Sequence, residues 1–94
     1  MIIAVDYDDT LAINGEPNVR LIAKLKQAQR AGNIVILWTC REGKTLIEAV
    51  NNLRMWGFAP NLVNQNAREA AMRLGRDSRK IYADVYIDDK AVRP

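Results

Sequence analysis

Residues 1–10 read MIIAVDYDDT, a short apolar run that ends in three aspartates within four positions. Consecutive apolar residues before a polar cluster are typical of a strand buried on both faces of a sheet. A similar pattern returns near the other end of the chain, where residues 85–87 (VYI) lead into Asp88-Asp89. Because the carboxyl ends of parallel strands lie at one edge of a sheet, the two aspartate clusters are predicted to meet.

Between these clusters the hydrophobic pattern alternates strand and helix, which predicts an α/β fold with a mainly parallel sheet of about four strands. Residues 34–38 form a second apolar run that ends at Thr39, and residues 61–63 predict a short third strand. Helical spacing predicts three helices, marked by Leu21, Ile22, Leu25 and Ala28, by Leu46, Ile47, Val50 and Leu53, and by Ala67, Ala70, Ala71 and Leu74.

Glycine and proline mark the boundaries of these elements. Residues 14–17 (NGEP) are typical of a turn, and Pro17 is expected near the start of the first helix. Gly32 and Gly57 are expected just past the ends of the first two helices. No repeat or linker interrupts the pattern, so we expect one domain over residues 1–94.

The composition excludes several kinds of chemistry. The chain has 94 residues, no histidine and a single cysteine, Cys40. Without imidazole, most zinc sites and serine-hydrolase triads are excluded, and acid–base work falls to carboxylates, lysine or tyrosine. A lone cysteine forms no intrachain disulfide, and no apolar run approaches the roughly 18 residues of a membrane helix. With no signal-peptide pattern ahead of Asp6, we expect a cytoplasmic protein and no membrane partner.

The net charge of +3 is unevenly distributed. The aspartate clusters hold five of the eleven acidic residues, which leaves six acids against 14 lysines and arginines. A basic exterior around an acidic pocket suits an anionic, phosphorylated substrate such as a nucleotide or nucleic acid. A solvated basic surface that only keeps the protein soluble explains the excess equally well.

Five carboxylates in one crevice repel each other unless a cation lies among them. They belong to Asp6, Asp8, Asp9, Asp88 and Asp89. Magnesium is the expected cation, because it prefers hard oxygen ligands and often shares its coordination with phosphate. Clusters that only cap helices, or that bind a cation without catalysis, are the alternative.

These residues supply the parts for phosphoryl transfer. Asp6, at the strand end, can attack phosphorus and form an aspartyl-phosphate, and Asp8 can protonate the leaving group and then take a proton from water. Thr39 can hold a phosphate oxygen with its hydroxyl. Lys80 and Asp88 complete the charge balance of this predicted site.

The order of these motifs resembles that of the haloacid-dehalogenase-like (HAD-like) superfamily. Residues 6–11 (DYDDTL) are similar to its first motif, Asp-x-Asp-x-Thr after an apolar strand, and residues 34–39 (IVILWT) to its second, a strand ending in Thr or Ser. Lys80 resembles the lysine of the third motif, and residues 85–89 (VYIDD) resemble the fourth. The resemblance spans the chain and implies a Rossmann-like three-layer sandwich.

The resemblance also implies roles. Asp6 is the nucleophile and a metal ligand, and Asp8 is the acid/base with its backbone carbonyl on the metal. Asp88 binds magnesium, and Asp89 binds it through water or orients the cluster. Thr10 completes the first motif and is expected to bind substrate. Asp8 at its position argues against a dehalogenase or a transport ATPase, so the implied activity is a magnesium-dependent phosphatase.

Alternative interpretations exist for the third-motif lysine and for Arg41. Arg79 or Lys90 is an alternative to Lys80 as the cation of the third motif. Arg41, two residues after Thr39, resembles the Thr-x-Arg of family phosphatases that handle nucleotides or polynucleotides, where it would hold a second phosphate. An exposed arginine at a helix entrance is the alternative interpretation.

Short connections imply a member without a cap domain. Residues 11–17 leave space for a small flap and residues 62–80 for one short helix, and no fifth strand is expected after Asp89. An open site admits bulky or polymeric substrates but excludes water poorly. A non-catalytic nucleic-acid or protein-binding module with a vestigial metal site is the rival hypothesis.

Three further residues carry expectations. Trp38 and Tyr86 directly precede motif residues, and we expect both in the core because aromatic side chains of central strands usually pack there. Stacking of these rings on a base is the alternative. Asp84 is expected to be a surface acid.

Overall fold

The computed structural model describes residues 1–65, 67, 82–89 and 92–93, the last two by their backbone alone. The elements in these ranges are β1 (Ile2–Val5), β2 (Ala12–Ile13), β3 (Glu16–Pro17), α1 (Val19–Arg30), β4 (Ile34–Leu37), α2 (Gly43–Met55), β5 (Leu62–Val63), β6 (Val85–Ile87) and β7 (Val92–Arg93). The predicted α/β class is confirmed, and the strands expected from the apolar runs form within one residue of their predicted ends.

The main sheet has the strand order β5-β4-β1-β6-β7. β1 pairs in parallel with both β4 and β6, and β4 pairs in parallel with β5. The prediction of a mainly parallel sheet of about four strands is therefore confirmed. The expectation that no strand follows Asp89 was wrong, because residues 92–93 pair in antiparallel fashion with β6 at the sheet edge.

Helices α1 and α2 cover one face of this sheet. Their buried residues form one core cluster with side chains of β1 and β4 that alternate along each strand, among them Ile22, Leu25, Ala49, Leu53, Val5 and Leu37. Alternate residues reach the same face because successive side chains of a strand point to opposite sides. In the part of the chain that the structure describes, both helices fall short of the length and apolarity of a membrane-crossing helix.

The buried face of α2 differs from the predicted one. Ile47 is 61% exposed, whereas Ala49 and Leu53 are fully buried against the sheet. Leu46 and Val50 are half-buried at the sides of this face. Residues 49 and 53 share a face because they are four positions apart. Ile47, which the helical spacing groups with Leu46, Val50 and Leu53, therefore lies outside the buried face.

The opposite face of the sheet has its own core cluster, formed by Ile2, Ala4, Ile36, Ala67 and Ala83. Ala67 is one of the positions that marked the third predicted helix. The other three, at residues 70, 71 and 74, lie outside the described residues. The third helix, and with it a third layer, therefore stays a prediction.

A tight hairpin follows the first aspartate cluster. Asn14 and Gly15 have φ angles of +53° and +78°, the left-handed conformation that a type I′ turn requires at both central positions. This turn joins β2 to β3, so the small flap predicted over residues 11–17 is an antiparallel hairpin. Pro17 ends β3 two positions before Val19, the first residue of α1.

Asp84, the residue before β6, joins that strand to the start of β1. Its Oδ2 accepts a 2.7 Å hydrogen bond from the backbone N of Ile2, and its own backbone N donates to the carbonyl of Ile2 at 2.8 Å. Asp84 is exposed, as expected of a surface acid. The prediction of a surface acid is confirmed, and the hydrogen bonds add a structural role, because they hold the starts of β1 and β6 side by side.

The observed orientation of α2 predicts a contrast between two truncations in that helix. Leu53→Ala should destabilise the protein by about 2–5 kcal/mol, because it removes a fully buried side chain and leaves a cavity between helix and sheet. Ile47→Ala is the matched control and should change stability by less than about 0.5 kcal/mol. Chemical unfolding followed by circular dichroism measures both, and equal losses would contradict this orientation.

Candidate functional site

Three strand ends bring Asp6, Thr39 and Asp88 to one edge of the sheet. The last residue of β1 pairs with Leu37 of β4 and with Ile87 of β6. Asp6 comes next, and its backbone N donates a 3.0 Å hydrogen bond to the carbonyl of Ile87. Asp88 therefore lies on one side of Asp6, and Thr39, two residues past the end of β4, lies on the other. The predicted meeting of the two aspartate clusters is confirmed.

The carboxylate of Asp6 is half-buried in an unfavourable electrostatic environment. Burial raises its pKa, against the effect of a 2.7 Å hydrogen bond that the backbone N of Tyr7 donates to Oδ1. The negative charges of Asp8, Asp89 and Asp88 raise the pKa of Asp6 further. A cation beside Asp6 would relieve both the cost of burial and this repulsion.

Buried polar contacts hold the loop after β1, which comprises residues 6–11 and is called the aspartate loop below. Thr10 is 4% exposed, its backbone N donates to the carbonyl of Tyr7 at 3.3 Å, and its hydroxyl lies 3.5 Å from the carbonyl oxygen of Asp8. Asn18 donates through Nδ2 to the carbonyl of Thr10 at 2.9 Å, while its Oδ1 caps the first turn of α1. Thr10 thus shapes the loop, and its direct contact with substrate stays a prediction.

Asp8 and Arg41 form a bidentate ion pair across the site. Nε of Arg41 donates to Oδ2 of Asp8 at 3.0 Å, and Nη2 donates to Oδ1 at 2.9 Å. These hydrogen bonds, opposed by burial and supported by the charge of Arg41, lower the pKa of Asp8. The side chain of Asp8 is 55% exposed, so the pair adds little to stability and matters mainly for the chemistry of Asp8.

Arg41 is held by aromatic and polar neighbours on α2 and in the aspartate loop. Its guanidinium carbon lies 4.7 Å from the centre of the Tyr7 ring, and Nη1 donates to the carbonyl of Thr45 at 3.1 Å. Tyr7 is almost fully buried, stacks on Trp56 with 6.3 Å between ring centres, and accepts a hydrogen bond from Nδ2 of Asn52 at its hydroxyl. No pattern in the sequence predicts that Tyr7 lies against Arg41 or that Asn52 holds the hydroxyl of Tyr7.

Thr39 is fixed by Asn64, a residue that no motif in the sequence points to. Oδ1 of Asn64 accepts from the backbone N of Thr39 at 2.8 Å, and the backbone N of Asn64 donates to the carbonyl of Leu37 at 2.8 Å. Oγ1 of Thr39 accepts from the backbone N of Arg41 at 3.2 Å. Because the hydroxyl is an acceptor in that bond, its own proton can be donated to an oxygen in the site.

Two open clefts flank the aspartate loop, and Asp9 borders both. The α1 cleft, between the loop, α1 and the end of β6, has about 310 Å³, and its charged lining residues are Asp9, Arg20, Lys24, Asp88 and Asp89. The α2 cleft, between the hairpin and α2, has about 420 Å³, and its charged lining residues are Asp8, Asp9, Arg41 and Glu48. A ligand can therefore extend from the site along either flank.

The donors around Asp6 fit magnesium in type. Carboxylate and carbonyl oxygens are its preferred protein ligands, and the repulsion among Asp6, Asp88 and Asp89 is the kind that a cation relieves. Within the described ranges, no three carboxylate, thiol or imidazole side chains are already gathered into a metal centre. The carboxylate of Asp8 is turned toward Arg41, so metal binding would require other side chains to turn toward Asp6.

The cation predicted for the third motif falls on a part of the chain that is not described. Lys80 and its alternatives, Arg79 and Lys90, all lie outside the described residues. Lys80 therefore stays a prediction, with Arg79 and Lys90 as its alternatives.

Comparison with known proteins identifies a family for the chain, but it does not indicate an enzymatic activity. No protein-family model and no curated protein matches it. A solved structure of a conserved protein from Bacteroides thetaiotaomicron aligns with a TM-score of 0.81 at 35% sequence identity, over 97% of this chain and 77% of that chain. This chain belongs to the family of that conserved protein. The relative is described only as a conserved protein, so membership supports the fold and assigns no activity.

Asp6→Asn should stabilise the metal-free protein at neutral pH. Asparagine keeps an acceptor for the backbone N of Tyr7 and removes a charge that burial and the neighbouring carboxylates disfavour. Because the pKa of Asp6 is raised by folding, the folded protein binds that proton more tightly than the unfolded chain. The advantage of the variant is therefore full above the folded pKa and shrinks as the pH falls through it.

Melting temperatures measured in chelator, from acidic to neutral pH, check this expectation. Asp9→Asn is the matched control, because it removes the same charge from an exposed position of the same loop. Asparagine also tolerates the left-handed backbone conformation of residue 9, whose φ is +59°. A destabilised Asp6→Asn variant, or an equal gain in Asp9→Asn, would show that the charge of Asp6 is not disfavoured in the fold.

Proposed function

We propose that this protein is a magnesium-dependent phosphomonoester hydrolase that works through an aspartyl-phosphate on Asp6. The observation that carries the proposal is the juxtaposition at the end of β1, where a half-buried carboxylate of raised pKa lies between Thr39 and Asp88. An aspartate nucleophile needs charge neutralisation, a donor for the phosphoryl oxygens and a proton source. This edge of the sheet supplies candidates for each.

The proposed scaffold is a capless HAD-like domain with a three-layer, Rossmann-like arrangement. The parallel pairing of β4, β1 and β6 supports this interpretation, because each of these strands leads directly into the polar residues of one of the HAD-like motifs. The connection from β1 to α1 holds only the short β2–β3 hairpin, which supports the absence of a cap at that point.

In the first step, Oδ2 of Asp6 attacks phosphorus, the bond to the leaving oxygen breaks, and Asp8 donates its proton to that oxygen. Oδ1 accepts from the backbone N of Tyr7, which orients the carboxylate and leaves Oδ2 as the attacking atom. In the second step, water attacks the phosphorus of the aspartyl-phosphate and Asp8 takes a proton from that water. Inorganic phosphate leaves, and the carboxylate of Asp6 is regenerated.

The ion pair between Asp8 and Arg41 has to open during this cycle. Both carboxylate oxygens of Asp8 accept from Arg41 in the resting arrangement, and the lowered pKa keeps Asp8 ionised, so that it has no proton to donate. A substrate phosphate competes for the same guanidinium, because phosphate and carboxylate accept the same bidentate geometry. Transfer of Arg41 to the substrate would raise the pKa of Asp8 and so link proton donation to substrate binding.

Asp6, Asp88, Asp89 and the backbone carbonyl of Asp8 are the groups that would hold magnesium. When bound, magnesium would neutralise the crowded carboxylates and polarise the phosphoryl oxygens. The hydroxyl proton of Thr39 would be donated to a phosphoryl oxygen. Lys80 is proposed as the further cation.

The proposed substrate is a nucleotide or a nucleic-acid phosphate. The excess of basic residues outside the aspartate clusters and the two open clefts support this class. We propose a cytoplasmic location, because a free, exposed Cys40 suits a reducing compartment.

A non-catalytic nucleic-acid or protein-binding module is the second candidate. Two observations favour it. The carboxylate of Asp8 is already bound to Arg41, and among the described residues no three acidic, thiol or imidazole side chains are grouped as metal ligands. In such a module the aspartates would shape the surface without turning over a substrate.

Release of phosphate from an activated aryl phosphate distinguishes these candidates. We expect turnover that depends on magnesium, stops in chelator, and falls by at least about 10³-fold in Asp6→Asn, because that variant lacks the nucleophile. Circular dichroism should show that the variant keeps its fold. Release no faster than that of Asp6→Asn would favour the binding module.

Asp8→Asn should be sensitive to the leaving group. Loss of the proton donor should slow release of a poor leaving group, such as an alkyl alcohol, by about 10²-fold or more. A good leaving group, such as a nitrophenol, should be affected much less in the first step because it departs without a proton. The ratio of kcat/KM for the two ester classes measures this, and equal losses would remove Asp8 from the acid role.

A further inference from the structure

Trp38 departs from expectation at a position next to the candidate site. It was expected in the core, yet 42% of its surface is exposed. Tyr86, its counterpart on β6, is half-buried and packs against the second core cluster, as expected. An exposed indole calls for an explanation, because large aromatic side chains gain most from burial.

The sheet register places Trp38 directly beside the proposed nucleophile. The backbone N of Trp38 donates to the carbonyl of Val5 at 2.9 Å, and Asp6 is the next residue on β1. Neighbouring strands lie about 4.8 Å apart, so the indole is close enough for a substrate bound at Asp6 to reach. Trp38 and Asp6 each come two residues after a member of the second core cluster, Ile36 and Ala4, so alternation assigns both to that face of the sheet.

The orientation of the indole is fixed by Tyr86. The two rings form an edge-to-face pair with centres 5.8 Å apart and planes at 67°. Tyr86 is itself anchored, since its hydroxyl accepts a 3.0 Å hydrogen bond from the backbone N of Ala83. An exposed ring held in one orientation provides a stacking surface at little entropic cost.

We propose that Trp38 is the stacking surface for the nucleobase of a nucleotide or nucleic-acid end whose phosphate lies at Asp6. This inference rests on the proposed function and narrows its substrate class. Every base has a π face, and stacking on an aromatic side chain is tolerant of sequence. The proposal therefore predicts a preference for nucleotides over sugar phosphates, with weak discrimination among the bases.

Steady-state kinetics test the proposal with matched variants. Trp38→Ala should raise KM for a nucleoside monophosphate about 10-fold, whereas Trp38→Phe should keep most of the affinity because it retains an aromatic face. Neither variant should change KM for ribose 5-phosphate, which has the phosphate and lacks the base. Met55→Ala, another exposed apolar residue, is the control and should leave both values unchanged. Equal effects of Trp38→Ala on the two substrates would overturn the proposal.

Fluorescence provides a readout that does not need turnover. The chain has two tryptophans, so Trp56→Phe leaves Trp38 as the emitter. Nucleoside monophosphates, as the 5′ and the 3′ isomers, should quench this emission saturably, and ribose 5-phosphate should not. No quenching, or equal quenching by nucleotide and sugar phosphate, would overturn the proposal even if the phosphatase is real. Specific quenching without hydrolysis would support Trp38 and refute the proposed function.

A second copy of the chain is the competing occupant of this surface. In that case the emission of Trp38 should shift with protein concentration and not with nucleotide. Analytical ultracentrifugation would then show association that Trp38→Ala weakens, and this result would overturn the proposal.

Discussion

The fixed backbone at the end of β1 is the constraint on which the candidate site depends. The hydrogen bond from the backbone N of Asp6 to the carbonyl of Ile87 belongs to the parallel pairing of β1 with β6, so Asp6 cannot withdraw from Asp88 without breaking the sheet. The crowding of carboxylates is thus built into the fold, and it opposes stability through burial and repulsion. The apolar clusters on the two faces of the sheet must outweigh that cost.

The carboxylates of Asp6 and Asp8 lie in different environments. Arg41 forms an ion pair with Asp8, whereas burial and the negative charges of Asp8, Asp89 and Asp88 disfavour the charge of Asp6. Tyr7 connects the two carboxylates, because its backbone N binds Asp6 while its ring lies against the guanidinium of Arg41. A change in the position of Arg41 would therefore act on both carboxylates through a side chain buried in the core.

The hydrophobic pattern of the sequence predicts the strands and the edge of the sheet at which the aspartates meet. Apolar runs that end in acids locate β1 and β6, and parallel pairing then brings their ends together without further information. The buried face of α2 was predicted less well, because a large apolar residue such as Ile47 carries more weight in a pattern than Ala49, which packs closely on the sheet. The contacts of Arg41 with Tyr7 and Thr45 depend on how α2 packs against the loop, which residue spacing does not encode.

The openness of the site constrains how it can work. In the proposed phosphatase, Asp8 would act in an environment where water screens charge and competes for donors, because its side chain is more than half exposed. Rate enhancement would then have to come from groups whose positions the backbone fixes, such as the hydroxyl of Thr39 and the carboxylate of Asp6. A bulky substrate that covers this edge of the sheet would itself exclude water from the site. A nucleotide stacked on Trp38 beside the proposed nucleophile would meet that requirement better than a small, flexible phosphate ester.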